Sequence, residues 1–239
     1  MWPVCKKELR QYFSSLTGYI AIIIFLVLTG AVLFILPGNI LDFGYATLDR
    51  FFEIAPWILL VLIPAITMRS FSDEFRSGTF ETLQTLPITP WQLVWGKYLA
   101  AFIVVLISIV PTIVYPFSVQ QLAAAGGIDT GGTAGSYVGL VLLSACFVAI
   151  GVCSSSLTSN AVVAFILSAF ICVIVYGAFT ALSRIPAFEG GADYYLEMLG
   201  IDFHYRSLSR GVIDTRDVIY FISVIAFFLI VTYRRLIKR

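Results

Sequence analysis

Residues 54–117 read IAPWILLVLIPAITMRSFSDEFRSGTFETLQTLPITPWQLVWGKYLAAFIVVLISIVPTIVYPF, and this stretch decides how the chain folds. Two apolar runs, Ile54–Met68 and Leu99–Phe117, bracket a charged and heavily punctuated segment. Neither run contains Asp, Glu, Lys, Arg or His. In hydrocarbon there is no water to pair with backbone amides and carbonyls, so uncharged runs of this kind become membrane-spanning helices.

The same pattern recurs outward, at Tyr19–Leu36, Tyr137–Val152, Ala161–Leu182 and Val218–Tyr233. A span needs roughly 17–25 residues. The second, fourth and sixth runs are short by that measure and draw on flanking residues such as Phe51 and Phe52. Composition agrees: 59% of the 239 residues are hydrophobic and 12% charged, with a mean hydropathy of +0.95. A soluble domain carries about a quarter charged residues, so lipid has to be the solvent for much of this surface. The fold class is therefore all-α, a polytopic membrane protein with six transmembrane helices, forming a single membrane domain over residues 1–239. Tyr19–Leu36 is long, and Leu36-Pro37-Gly38-Asn39 after it is not a small-x-small cleavage site, so the start reads as a retained span rather than a signal peptide.

An even number of spans puts both termini on one side. That side holds Lys6, Lys7, Arg10, Arg69, Arg76, Lys97, Arg234, Arg235, Lys238 and Arg239; the other holds Arg50, Arg184, Arg206, Arg210 and Arg216. The excess places both termini in the cytoplasm of a multi-pass protein of the cytoplasmic (inner) membrane. Residues 184–217 then form the longest extracytoplasmic loop, after 37–53 and 118–136. Net charge is +1, which leaves no basic field for nucleic acid. Cys5, Cys146, Cys153 and Cys172 form no CxxC pair and read as small core hydrophobes, with metal or redox work the alternative.

Residues 1–17 form a separate element. Trp2, Cys5, Leu9, Tyr12, Phe13 and Leu16 recur at helical spacing, with Lys6, Lys7, Glu8 and Arg10 among the polar positions. This predicts an amphipathic helix on the cytoplasmic membrane surface, in contact with the lipid bilayer. The alternative is a basic flank that only sets orientation.

Residues 69–97 make the one long polar cytoplasmic segment. Gly78 can cap a short helix over Thr79–Leu86, with Glu81 three residues on. Phe80, Leu83 and Leu86 share a face, and Pro87 ends the helix. Thr89 with Gln92 makes a capping box for the next helix, with Pro90 at its first position and Ile88 able to staple onto Leu93. Trp91, Trp95 and Lys97 set that helix start at the interface. The apolar face of the short helix needs a groove. That groove belongs either to a partner, which makes this a coupling helix, or to the chain's own helices.

The run IPAITMRSFSDEFRSGTFETLQTLPITPWQLVWGK resembles the signature of the ABC-2 type permease family. Asp73, Glu74, Gly78, Thr79, Glu81, Leu83, Pro87, Ile88, Gly96 and Lys97 match it. CKKELRQYFSSLTGYI is similar to the family's N-terminal elbow helix, and SSLTSNAVVAF and HYRSLSRGVIDTRDVIYF fit as well. FFEIAPWILLVLIPAITMRSFSDE and SRGVIDTRDVIYF are more similar still to the family's gliding-motility-associated branch. The resemblance implies a permease subunit paired with a second permease copy or a related membrane subunit, each resting on an ABC ATPase subunit. It also implies that ATP and magnesium bind on the ATPase and that this chain holds no cofactor and no metal. The ATPase-coupling role falls by motif on Asp73, Glu74, Gly78, Thr79, Phe80, Glu81 and Leu83. A structural membrane anchor of a motility or secretion machine, or an ion-coupled carrier, are the competing readings.

The residues themselves agree that any ATPase is another chain. A P-loop requires G-x-x-x-x-G-K-[ST]; here Gly96-Lys97 is followed by Tyr98, and Trp91 stands where the first Gly belongs. The six runs hold no Asp, Glu, His, Arg or Lys, the residues that ion-coupled carriers use for proton or ion relay, which weakens the carrier reading. Gly131, Gly135 and Gly139 suit either a close-packing helix stripe or a flexible loop that includes Gly126, Gly127 and Gly132. Pro111 and Pro116 predict a kink in the third span. His204, the one histidine, is a ligand or base, or else a solvated or packed loop residue. Arg210–Asp214 reads as an outer turn or a substrate contact, with Asp214 an N-cap.

Overall fold

The computed structural model describes residues 1–37, 39–40, 47–84, 87–123, 127–185, 192–211 and 214–238. Gly38, Leu86, Gly126, Val212, Ile213 and Arg239 lie outside the described residues. Among the described residues the secondary structure is helical, with no strand. Five helical stretches are long and apolar enough to cross a membrane, and a sixth forms from a bent pair.

That pair is α1 (Trp2–Ser14) and α2 (Leu16–Phe34), whose axes meet at 68°. Ser15 between them is extended, and Gly18 makes the corner tight: a Cβ there would lie 2.9 Å from the Tyr12 carbonyl oxygen. The amphipathic helix is therefore present and distinct from the first span. One face of it packs on protein, with Val4, Cys5 and Glu8 buried, while Trp2 and Leu16 are exposed.

α3 (Asp49–Thr67) runs through Met68 into α4 (Arg69–Ser77), a helix of 29 residues in all. The second span is thus not short; it continues past its apolar part into the polar segment. Gly78 stands directly before the next helix and has a second role at the end of the preceding one. It closes α4 in the left-handed conformation (φ 69°), where a side chain would be strained. α5 (Thr79–Gln84) follows at once. α6 (Pro90–Ile109) begins at the Thr89–Gln92 capping box, as expected. A 3₁₀ turn at Val110–Ile113 then marks the Pro111 position before α7 (Val114–Leu122).

α8 (Thr130–Leu157) is the hub, flanked by α13 (Thr215–Ile237), α3, α9 (Ala161–Val173) and α12 (Ile201–Ser209). Its small residues permit this. Gly135 and Gly139 lie on the helix, and a Cβ on Gly135 would come within 2.7 Å of the Leu208 carbonyl oxygen. The loop reading of that glycine stripe is overturned; it is a packing seam against α12. At Gly151 a Cβ would sit 2.0 Å from Thr67 Oγ1 and 2.8 Å from Thr67 Cβ. Gly151→Ala should therefore force α3 and α8 apart, costing about 1–3 kcal/mol. Thermal unfolding in detergent checks this, and an unchanged midpoint would contradict the packing.

A π-turn (Ile174–Ala178) and α10 (Phe179–Ser183) complete the fifth span. The region 184–217 is more than a loop: it holds α11 (Ala192–Glu197) and α12, whose Ile201, Tyr205 and Leu208 are buried. Asp214 caps α13 by accepting from the Arg216 amide at 2.9 Å. Both chain ends lie at one end of the bundle, where Trp91 of α6 stacks on Tyr233 of α13 at 4.4 Å. The four cysteines are buried and unbridged.

Candidate functional site at the terminal end

The polar segment 69–97 folds back on α1, and a buried lysine ties the two together. Gly96 lets α1 approach α6 closely: a Cβ there would meet Val4 Cβ at 2.8 Å. Lys97, one residue on, is 1% exposed. Its Nζ donates to Glu8 Oε1 at 3.0 Å, to Glu74 Oε1 at 2.8 Å and to the Ser70 carbonyl, and lies 4.9 Å from the Phe71 ring centroid. Lys7 reaches the same Glu74 oxygen from outside at 3.2 Å. The result is two cations and two carboxylates spanning α1, α4 and α6. A buried charge is tolerated only when paired and hydrogen-bonded, and here Lys97 uses three acceptors. Glu74 Oε2 is buried without a hydrogen-bond partner among the described residues.

Two further fastenings flank this cluster. At the α3–α4 joint, Ser155 of α8 accepts from the Phe71 and Ser72 amides at 2.9 and 3.2 Å and donates to the Met68 carbonyl at 2.9 Å. Tyr12 of α1 donates to the Ile66 carbonyl at the same joint. At the tip, Phe80 packs edge-on to Phe75 at 4.9 Å, and Phe75 stacks on Phe71 at 6.0 Å. Phe80 is buried in its own chain, so of the two grooves allowed by the sequence, this residue occupies the internal one. Thr79 and Glu81 are exposed, and Asp73, Glu74 and Leu83 are partly so. On α1, Lys6, Lys7 and Arg10 are exposed, and Glu8 is buried. A cleft of about 400 Å³ separates α1 from α4 and α5, lined by Gln11, Arg69, Asp73, Thr79 and Leu83 around the charge cluster.

Electrostatics follow from burial. For Lys7, desolvation works against the ammonium, but Glu8 and Glu74 outweigh it and hold the pKa above the lysine value of 10.5. Because the shift is upward, the Lys7 contribution is present at neutral pH and is lost only as pH rises through the raised value. Burial, and then the Glu8 charge, push the Cys5 thiol up, so the thiolate is disfavoured and the group is inert. Burial likewise pushes the Tyr12 phenol up, against a hydrogen bond from Ser70.

The motif residues thus come together; Glu8 and Lys97 stand out singly in the sequence, but their pairing and the role of Ser155 do not. Glu8 and Lys97 lie 89 positions apart, and Ser155 lies 84 from Phe71. The absent P-loop leaves Gly96-Lys97 with a different task, helix approach and charge burial. Among the described residues no group of His, Cys, Asp or Glu side chains converges as a metal site.

At the far end, His204 is a packed residue. Its Nδ1 lies 2.7 Å from Asp217 Oδ1 and its Nε2 2.9 Å from the Met198 carbonyl, and the ring stacks on Tyr220 at 3.9 Å.

Among curated proteins, none matches the chain. A family model described as ABC-2 family transporter protein matches residues 43–199, which takes in α3 to α11 and the whole of segment 69–97. Members of that family are membrane transport components that work with an ABC ATPase held on a separate subunit. With its long apolar helices and a match over about two thirds of its length, the chain belongs to the ABC-2 family, as a multi-pass membrane permease subunit of an ABC transporter.

Proposed function

We propose that segment 69–97 is the input through which an ABC ATPase drives this permease, with α5 as the coupling helix and both termini cytoplasmic. The observation that carries this is the triple fastening of an exposed tip. Ser155 fixes the α3–α4 joint, Lys97 joins α4 to α6 and α1, and the Phe71–Phe75–Phe80 stack holds α5. A displacement imposed at Thr79 or Glu81 therefore moves two spans and the elbow helix as one body. Because Phe80 is internal, contact with the ATPase falls on Thr79, Glu81 and the exposed edge of Leu83, and Asp73 and Glu74 support from behind. ATP and magnesium sit on the ATPase. A second permease copy or a related membrane subunit completes the transporter in the cytoplasmic membrane. Sequence likeness favours work in the gliding-motility branch.

Glu81→Arg tests this. The residue is exposed, so the fold should be unaffected. Recovery of the ABC ATPase that co-purifies with the unaltered chain should fall at least about tenfold, a change of about 1.4 kcal/mol. Undiminished recovery would remove the coupling role. A membrane-impermeant thiol reagent should reach Thr79→Cys only after the membrane is opened; labelling from outside would reverse the orientation.

A further inference from the structure

The end of the bundle opposite the termini holds an open cleft of about 650 Å³ that the coupling role does not use. Its charges are balanced but not mutually satisfied. Asp49 and Glu53, in the first two turns of α3, lie on its lining, as do Arg184 just after α10 and Arg210 just after α12. All four are exposed, and none has an ion-pair partner among the described residues. The neighbouring charges in the same cleft are already committed. Arg206 donates to Asp202 at 2.6 Å and to Glu197 at 3.0 Å, and Thr180 donates to Asp202 at 3.2 Å.

The cleft also holds an aromatic pair, Trp57 and Tyr176, in an edge-to-face arrangement at 5.5 Å. Tyr176 belongs to the π-turn, a local insertion in the helix ladder that often re-aims a side chain at a functional site. Trp57, on the spanning helix α3, lines the cleft and is 53% exposed. An aromatic face next to carboxylates suits an ammonium group. Two free guanidiniums suit a phosphate or carboxylate. A simple anion would meet Asp49 and Glu53, and a simple cation would meet Arg184 and Arg210. A ligand carrying both signs is the one that avoids both repulsions.

We propose that this cleft binds a zwitterionic ligand, its ammonium against Glu53, Asp49 and Trp57 and its anionic group against Arg184 and Arg210. The ligand is either a soluble zwitterion or the headgroup of a membrane lipid. The inference is independent of the coupling role, since no residue is shared.

The test measures binding of phosphoethanolamine to the purified full-length chain in detergent by calorimetry, with ethanolamine and inorganic phosphate as its two halves. Phosphoethanolamine should bind at least about tenfold more tightly than either half. Glu53→Gln and Arg184→Gln should each weaken it about tenfold, with unchanged melting temperatures because both side chains are exposed. A short-chain phosphatidylethanolamine should show the same dependence on both variants. If it binds more tightly than phosphoethanolamine, the headgroup of a lipid is the source; if equally, a soluble zwitterion is. The proposal is overturned if neither zwitterion binds better than the halves, or if both variants leave binding unchanged.

Discussion

Lys97→Met destabilises the folded chain by about 3–5 kcal/mol, the usual penalty when one partner of a buried charge cluster is removed. Methionine keeps most of the stem volume, so little of this loss comes from packing. What remains is Glu8, 5% exposed, and Glu74, both facing a site whose other cation, Lys7, reaches in from solvent. The Ser70 carbonyl also loses its donor. Unfolding in mixed micelles, followed by tryptophan fluorescence, reads the loss, since Trp91 and Trp95 lie within two turns of the site. The triple change Lys97→Met, Glu8→Gln, Glu74→Gln should recover much of it, because neutral groups leave no buried charge behind. A triple variant as unstable as the sum of its parts would show that these side chains do not act as one unit.

His204→Leu at the far end is expected to cost a comparable amount, about 3 kcal/mol or more. The ring lies within hydrogen-bond distance of two groups at once, the Asp217 carboxylate and the Met198 carbonyl, and both are left behind. Asp217 is 5% exposed, and its second oxygen has no hydrogen-bond partner among the described residues. Its place in the first turn of α13 gives it some help from the helix amides, which tempers the loss. The double change His204→Leu, Asp217→Asn should be distinctly more stable than the sum of the two single changes predicts. Melting temperatures of the four proteins decide it; additive effects would mean that the pair does not interact.

Much of the architecture is legible in the amino acids because its signals are local. The uncharged runs mark spans, Thr89 and Gln92 mark the start of α6, and Asp214 marks the start of α13. The misreadings have specific causes. Hydropathy reports the solvent around a segment, not the state of its backbone, so the polar stretch Arg69–Ser77 looked like a loop while it extends α3. Gly78 carries signals for both a cap and a stop, and only the backbone angle separates them. The glycines of α8 look flexible until α12 is seen lying against them. α11 and α12, of six and nine residues, are too short for periodicity to declare them. In the site, the exposed residues of α5 follow from a local motif, but Glu8, Lys97 and Ser155 meet across folds of the chain that no spacing encodes.

The central position of α8 has a consequence for how the protein is made. This helix leaves the ribosome after α1 to α7, yet several of the surfaces that bury it, α9, α12 and α13, are synthesised later. Until they arrive, its seam of Gly135 and Gly139 faces lipid, which offers small residues no close-packing partner. Assembly in the bilayer therefore closes late, when the last span docks. A nascent chain stalled or cut before Ile201 would lack α12 and leave that seam uncovered.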